Sequence, residues 1–329
     1  MKKFIAVAIL MLSACTGSSK KKIWIYTSSY KEAVALYKTA LEKEFPEVEI
    51  QWFQSGSENV ASKVTAEMAG GAPQADILMT SDVFFYQEMK RRDALRPLDK
   101  TPAVDSLPAT YLDPQRAFIV NRFPIMVIAY NTQKVAEADR PTGFEQLLQP
   151  KYKGKITMPS PLESGTALTA ILFLKNMFGE GYFEGLRKNE VLASGGNGSV
   201  MARIQSGERP IGVILMENIL QAKERGLKSV EFVIPSEGGL PMPSCLAVLK
   251  TTKEPVIAQK IVDWILQSAR SQEILRQSYV YSSLASTAAP QGAPEWKTLK
   301  MKDWSLAEFD KWGSERQAVK EMFQKAVLR

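Results

Sequence analysis

The chain has 329 residues, room for about two domains. Hydrophobic residues make up 45% and charged residues 23%, the balance of an ordinary folded protein rather than a disordered or disulfide-stapled one. With no histidine and two cysteines, a Ser-His-Asp triad, an HExxH zinc site and a four-cysteine metal site are all excluded.

The chain opens on an address. Lys2 and Lys3 precede an apolar run, Phe4 to Leu12, that is too short to span a bilayer. Leu12-Ser13-Ala14-Cys15 resembles the bacterial lipobox, so Met1–Ala14 is expected to be a lipoprotein signal peptide and Cys15 the lipidated first residue of the mature chain. Thr16 to Lys22 (TGSSKKK) then reads as a polar tether, residues 15–22. An acylated Cys15 leaves Cys245 alone, with no intramolecular disulfide possible. Net charge is +7, and +5 once Lys2 and Lys3 leave with the signal. The excess is dispersed, which argues against nucleic acid. No later apolar run reaches the roughly 18 residues of a membrane span. The expectation is an extracytoplasmic monomer that meets a bacterial membrane only through its lipid.

From residue 23 the pattern alternates strand and helix. Ile23–Tyr26 reads as a strand. Ser29-x-x-Glu32 reads as a capping box for a helix to about Phe45, and Val48–Phe53 as a second strand. Ser57 is expected to cap a helix ending at Gly70-Gly71. Asp76–Met79 is a third strand, and Thr80-Ser81-Asp82 opens a third helix ending near Arg92. This βαβαβα order implies a parallel sheet. Ile125–Tyr130 is an apolar central strand. Ala167–Phe178 is a helix apolar on most of its surface, hence buried. Ser194–Ser199 (SGGNGS) is a Gly-rich loop before another helix, and Ile211–Met216 is a strand. Pro255 starts a late helix, and Ser305-x-x-Glu308 caps a final helical region interrupted near Gly313.

One arrangement recurs. Strand ends are followed by Ser, Thr or Gly and then a helix: Thr27-Ser28-Ser29, Ser55-Gly56-Ser57, Thr80-Ser81, Ser164-Gly165-Thr166 and Gly196-Asn197-Gly198-Ser199. In an open α/β sheet, ligands sit beyond the carboxyl ends of strands, where helix N-termini offer free N–H groups and partial positive charge. Such termini hold an anion without Arg or Lys. Ser and Thr also cap helices for stability alone. Glu217 follows an apolar strand where the chain should emerge at a cleft. It is either a helix-start carboxylate favoured by the dipole or an acceptor for a ligand hydroxyl or ammonium. No Walker, dinucleotide or GxSxG motif is present, so no catalytic residue, metal site or cofactor is expected.

From about residue 23 to 290 the chain resembles extracellular solute-binding proteins that serve ferric-iron, aminoethylphosphonate and sugar-phosphate ABC importers. The resemblance is carried by IWIYTSSYKE at 23–32, ADILMTSD at 75–82, IMVIAYN at 125–131, KYKGKITMPSPLESGTA at 151–167, SGGNGSVMARIQSGERPIGV at 194–213 and PVIAQKIVDWILQSARSQEIL at 255–275. It implies an α/β periplasmic-binding-protein-like fold of two lobes, a mixed, largely parallel sheet in each, and a hinge of crossover strands. The implied lobes are residues 23–128 with 247–329, and residues 129–246. The first crossover is implied at Val127–Asn131 and the return near Leu246–Leu249. Ferric members place adjacent tyrosines where this chain has Glu217-Asn218, and often a histidine where Tyr30 stands. They hold a companion phosphate with a Ser-Gly-x turn and an asparagine, matched by Ser164-Gly165-Thr166 and Asn197. The implied function is capture of a small phosphorylated or phosphonate solute for an ABC permease. With the strand-end residues, the expected contacts are Ser28, Ser29, Tyr30, Ser57, Thr80, Ser81, Ser164, Gly165, Thr166 and Asn197, with Glu217 reading the organic part of the ligand. Two alternatives are a ferric-iron carrier using Tyr30, Tyr279, Tyr281 and Glu217, and a sensor presenting its ligand to a membrane kinase.

Overall fold

The computed structural model describes residues 20–71, 73–313 and 316–327. The expected signal peptide, residues 1–14, and Cys15 lie outside the described residues. In chain order the first elements are β1 (Lys21–Thr27), α1 (Lys31–Glu44), β2 (Val48–Gln54), α2 (Ser57–Ala69), β3 (Ile77–Thr80), α3 (Val83–Arg91), β4 (Leu95–Arg96), α4 (Pro102–Asp105) and β5 (Ile119–Phe123). The central set is β6 (Ile125–Asn131), β7 (Ile156–Met158), α5 (Gly165–Phe178), α6 (Gly181–Lys188), β8 (Leu192–Ala193), α7 (Asn197–Ser206), β9 (Ile211–Leu215), α8 (Met216–Glu224), β10 (Val230–Val233) and β11 (Leu240–Pro241). The chain closes with β12 (Ser244–Leu249), α9 (Pro255–Gln267), α10 (Ala269–Gln277), β13 (Tyr281–Ser282), α11 (Leu306–Gly313) and α12 (Arg316–Val327).

These form two lobes. The first sheet runs β13-β5-β12-β3-β1-β2, with β4 also on β12. Its β1, β2 and β3 are parallel, as the βαβαβα pattern implies, while β12, β5 and β13 add an antiparallel half. The second sheet runs β10-β6-β9-β7-β8, with β11 also on β6. Lys21 and Lys22, read from sequence as tether, extend β1 and pair with Val48 and Glu49.

The chain changes sheets at two prolines. Pro124 separates β5 in the first sheet from β6 in the second, and Met242-Pro243 separates β11 from β12. Proline has no N–H for the ladder, so each sheet ends there. The crossovers therefore fall earlier than the implied Val127–Asn131 and Leu246–Leu249. One apolar cluster is continuous through them, joining Tyr26 and Val60 of the first lobe to Ile128 and Phe173 of the second. A second cluster, including Tyr37, Ile77, Leu246 and Ile261, lies between the first sheet and the helices α1, α4, α9 and α10.

The chain's end joins the lobes. α11 packs on α3, while α12 packs on α5 and α6 beside the second sheet rather than staying wholly with the first lobe. Phe323 meets Phe183 edge-on at 5.8 Å between ring centroids. From the same helix Arg316 reaches back to the first lobe. Its Nη2 lies 2.8 Å from both Glu58 Oε1 and Asp82 Oδ2, its Nη1 lies 3.4 Å from Glu88 Oε2, and Lys320 is 2.6 Å from Glu58 Oε2.

Candidate functional site

A cavity of about 230 Å³ lies where the lobes meet, lined by both of them and by the crossover at Arg122 and Pro124. Nine of the eleven residues singled out from sequence line it: Ser28, Ser29, Tyr30, Ser57, Ser81, Ser164, Thr166, Asn197 and Glu217. Five helix starts supply eight of them, at Tyr30 (α1), Gly56-Ser57 (α2), Ser164 (α5), Gly196-Asn197 (α7) and Leu215 (α8), and Ser81 comes from the turn before α3.

Four of the five have no side-chain cap. Tyr30, Gly56, Gly196 and Leu215 occupy the cap positions of α1, α2, α7 and α8 without capping. This corrects two expectations. Ser29 does not cap α1, because its hydroxyl is engaged by Thr27 Oγ1 at 2.9 Å, and Ser57 is the first helical residue rather than the cap. No cap side chain therefore satisfies the first N–H groups of these helices. α5 is the exception, with Ser164 Oγ accepting from Ala167 N–H at 3.3 Å.

The hydroxyls are held in place by one another. Ser81 N–H donates to Ser28 Oγ at 3.1 Å, and Ser81 and Ser244 hydroxyls lie 2.5 Å apart. Ser164 Oγ is 2.9 Å from Thr166 Oγ1, which accepts from Asn197 Nδ2 at 3.2 Å. The Ser-Gly-x turn and the asparagine of the implied anion pattern are thus joined through Thr166.

Two of the eleven stand elsewhere. Thr80 N–H donates to the Tyr86 hydroxyl at 2.8 Å, and that hydroxyl donates to the Cys245 carbonyl at 2.7 Å, so Thr80 is tied into the core. Gly165 permits contact between the lobes. A Cβ there would lie 2.7 Å from Asp82 Cβ and 3.0 Å from Ser57 Cβ.

Arg122 was missed by sequence. It lies on β5, is 4% exposed, and lines the cavity. Among the described residues its guanidinium forms no ion pair, and its Nε has no hydrogen-bond partner. A buried cation without a partner is costly unless a ligand supplies the missing charge. The available signal was a charged residue in the apolar run Phe118–Val127, just before Pro124. Gln54, Glu163 and Ser278 also line the cavity.

Glu217 is 3% exposed, and its Oε2 has no hydrogen-bond partner. Burial pushes its carboxyl up to about 8, with a hydrogen bond from its own backbone N–H and the charge of Arg122 pulling it only partly back. Tyr30 donates to Asn218 Oδ1 across the cleft at 3.1 Å, and burial raises its hydroxyl well above the usual tyrosine value. Tyr281 instead donates to the Pro294 carbonyl at 2.7 Å, and neither it nor Tyr279 lines the cavity.

A polar cleft closed between two α/β lobes defines a protein that encloses a small solute. Residues 72–308 match the bacterial extracellular solute-binding proteins, and the chain belongs to that family. Over 327 residues it is 23% identical to the Fe(3+)-binding periplasmic protein of Serratia marcescens, covering 97% of this chain and 94% of that one. Two solved structures share the fold. AfuA from Actinobacillus pleuropneumoniae, with fructose-6-phosphate bound, superposes with a TM-score of 0.82 at 23% identity over 94% of this chain and 99% of that one. Iron-bound HitA from Pseudomonas aeruginosa gives 0.81 at 21% identity over 92% and 99%. The protein is the extracytoplasmic substrate-binding component of an ABC importer.

Proposed function

We propose that the cleft captures a small phosphorylated or phosphonate solute. The observation that carries this reading is Arg122, a buried guanidinium without a counter-charge, set among uncapped helix starts and hydroxyls. Such a site supplies charge, backbone N–H donors and O–H donors, the set that recognises phosphoryl oxygens. Relatives of this fold include carriers of both iron and sugar phosphate, so the choice rests on this chain's own side chains. Of the four oxygens considered for ferric iron, those of Tyr30 and Glu217 belong to residues lining the cavity, and those of Tyr279 and Tyr281 do not.

The test is a thermal-shift panel on the chain from residue 16 onward, with sugar phosphates, phosphoglycerates, aminoethylphosphonate, phosphate and ferric citrate. Ligand at about 1,000 times its Kd stabilises by about 4 kcal/mol. At this size that raises the midpoint by about 8 °C. The expected result is a shift with an organic phosphate or phosphonate. A shift with ferric citrate alone overturns the reading.

We further propose that the protein is anchored by lipid on Cys15. Metabolic labelling with a fatty acid should mark the wild type and not Cys15→Ser. A labelled Cys15→Ser protein, or an unlabelled wild type, removes the anchor.

A further inference from the structure

We propose that Glu217 binds the ligand as a neutral acid, its carboxyl proton forming a hydrogen bond to an oxygen of the enclosed anion. This rests on the anion reading above and adds to it a linkage between capture and proton uptake.

The first argument is space. At about 30 Å³ per water, the cavity of about 230 Å³ holds roughly seven or eight waters. An anion filling it stands beside the Glu217 carboxyl. Two negative groups side by side away from water do not both stay ionised, and one takes a proton.

The second argument is the missing partner. A carboxylate kept ionised in the interior is normally paired. Arg122 is the cation that shares the cavity, yet no ion pair joins it to Glu217 among the described residues, and Glu217 Oε2 is left without a donor. Arg122 is therefore free for the ligand.

The third argument is donor count. An ionised carboxylate only accepts hydrogen bonds, whereas the protonated acid also donates one. Every oxygen of a phosphoryl group seeks donors, so only the protonated form adds to the site.

The other ionisable groups facing Glu217 fit this assignment. Arg122 approaches from β5 and Tyr30 from α1, the latter with its proton committed to Asn218. Glu163 lines the cavity from the turn before α5, and its Oε1 accepts from Gly195 N–H at 2.9 Å. Just past the end of α8, Arg225 pairs with Glu32 at an exposed position, 3.1 Å apart. Burial of Glu217 already favours the protonated form up to about pH 8 in the empty cleft.

The experiment is calorimetric titration with fructose 6-phosphate, or whichever phosphomonoester gives the largest thermal shift. It is run from pH 7 to 9.5 in buffers of differing ionisation heat. A phosphomonoester's second pKa is about 6, so the ligand stays a dianion throughout. The guanidinium stays charged as well. The expected result is a roughly tenfold loss of affinity per pH unit above about 8, with proton uptake rising towards one per ligand. Glu217→Gln keeps a donor and should bind with a flat profile. A flat wild-type profile without proton uptake overturns the proposal. So does a Glu217→Gln protein, folded by its thermal midpoint, that loses binding at pH 7. If neither a phosphomonoester nor a phosphonate binds at any pH, the anion reading itself has failed and this proposal falls with it.

Discussion

Arg122, buried, and Arg316, half-buried, both lie near the starts of α2 and α3, and they are treated in opposite ways. Arg316 is held by three carboxylates, Glu58, Asp82 and Glu88. Arg122 has none. The contrast extends to adjacent residues. Ser57 lines the cavity while Glu58 faces Arg316, and Ser81 lines the cavity while Asp82 faces Arg316. Neighbouring residues at the same helix starts thus serve two charge centres. A cation satisfied within the protein stabilises the architecture, and one left unsatisfied is held in readiness for a ligand.

The largest expected effect is at Arg316. Arg316→Met leaves buried Asp82 without its ion-pair partner and Glu58 with Lys320 alone, which costs about 3–5 kcal/mol. The thermal midpoint of the empty protein should fall by about 6–10 °C. Arg122→Met should do the reverse. It removes an unpaired buried charge, so the midpoint of the empty protein should hold or rise. Affinity should fall by about 2–5 kcal/mol, read by titration. An unstable but binding-competent Arg122→Met would dissolve the distinction between the two arginines. Next comes Gly165→Ala, whose Cβ meets Asp82 Cβ and wedges the lobes apart. Affinity should drop by about 1–3 kcal/mol, with small-angle scattering showing a more open empty form.

A pH-dependent effect separates Glu217 from both. Folded, it keeps its proton to about pH 8, while the unfolded chain releases it near the usual 4.5. The folded state binds more protons in that window. The contribution is therefore fully present below about pH 4.5 and lost as pH rises towards 8, by at most about 1.4 kcal/mol per unit. Unfolding of Glu217→Gln at several pH values should lack this slope.

Much of this was legible in the sequence because strand–helix junctions are local. Periodicity located β1–α1–β2–α2–β3–α3, and the Ser and Thr residues at strand ends placed most of the cavity wall. Caps were misread at Tyr30 and Gly56 because a serine one position away satisfies the same pattern. The crossovers were misplaced because an apolar strand does not disclose which sheet it joins, although Pro124 marks the break. Arg122 was overlooked because burial of a charge follows from tertiary packing rather than spacing. The Arg316 cluster was out of reach altogether, since its partners are 228 to 258 residues away.

That separation bears on the order in which the molecule can be completed. Chains emerge from their N-termini. The second sheet draws its strands from one continuous stretch, residues 125–241. The first sheet begins at residue 21, yet β12, between β3 and β5, arrives only at residue 244, and β13 at 281. Glu58, Asp82 and Glu88 then wait for Arg316. The lobe that starts the chain is thus the last to be finished, and the half that appears second has every strand of its sheet first.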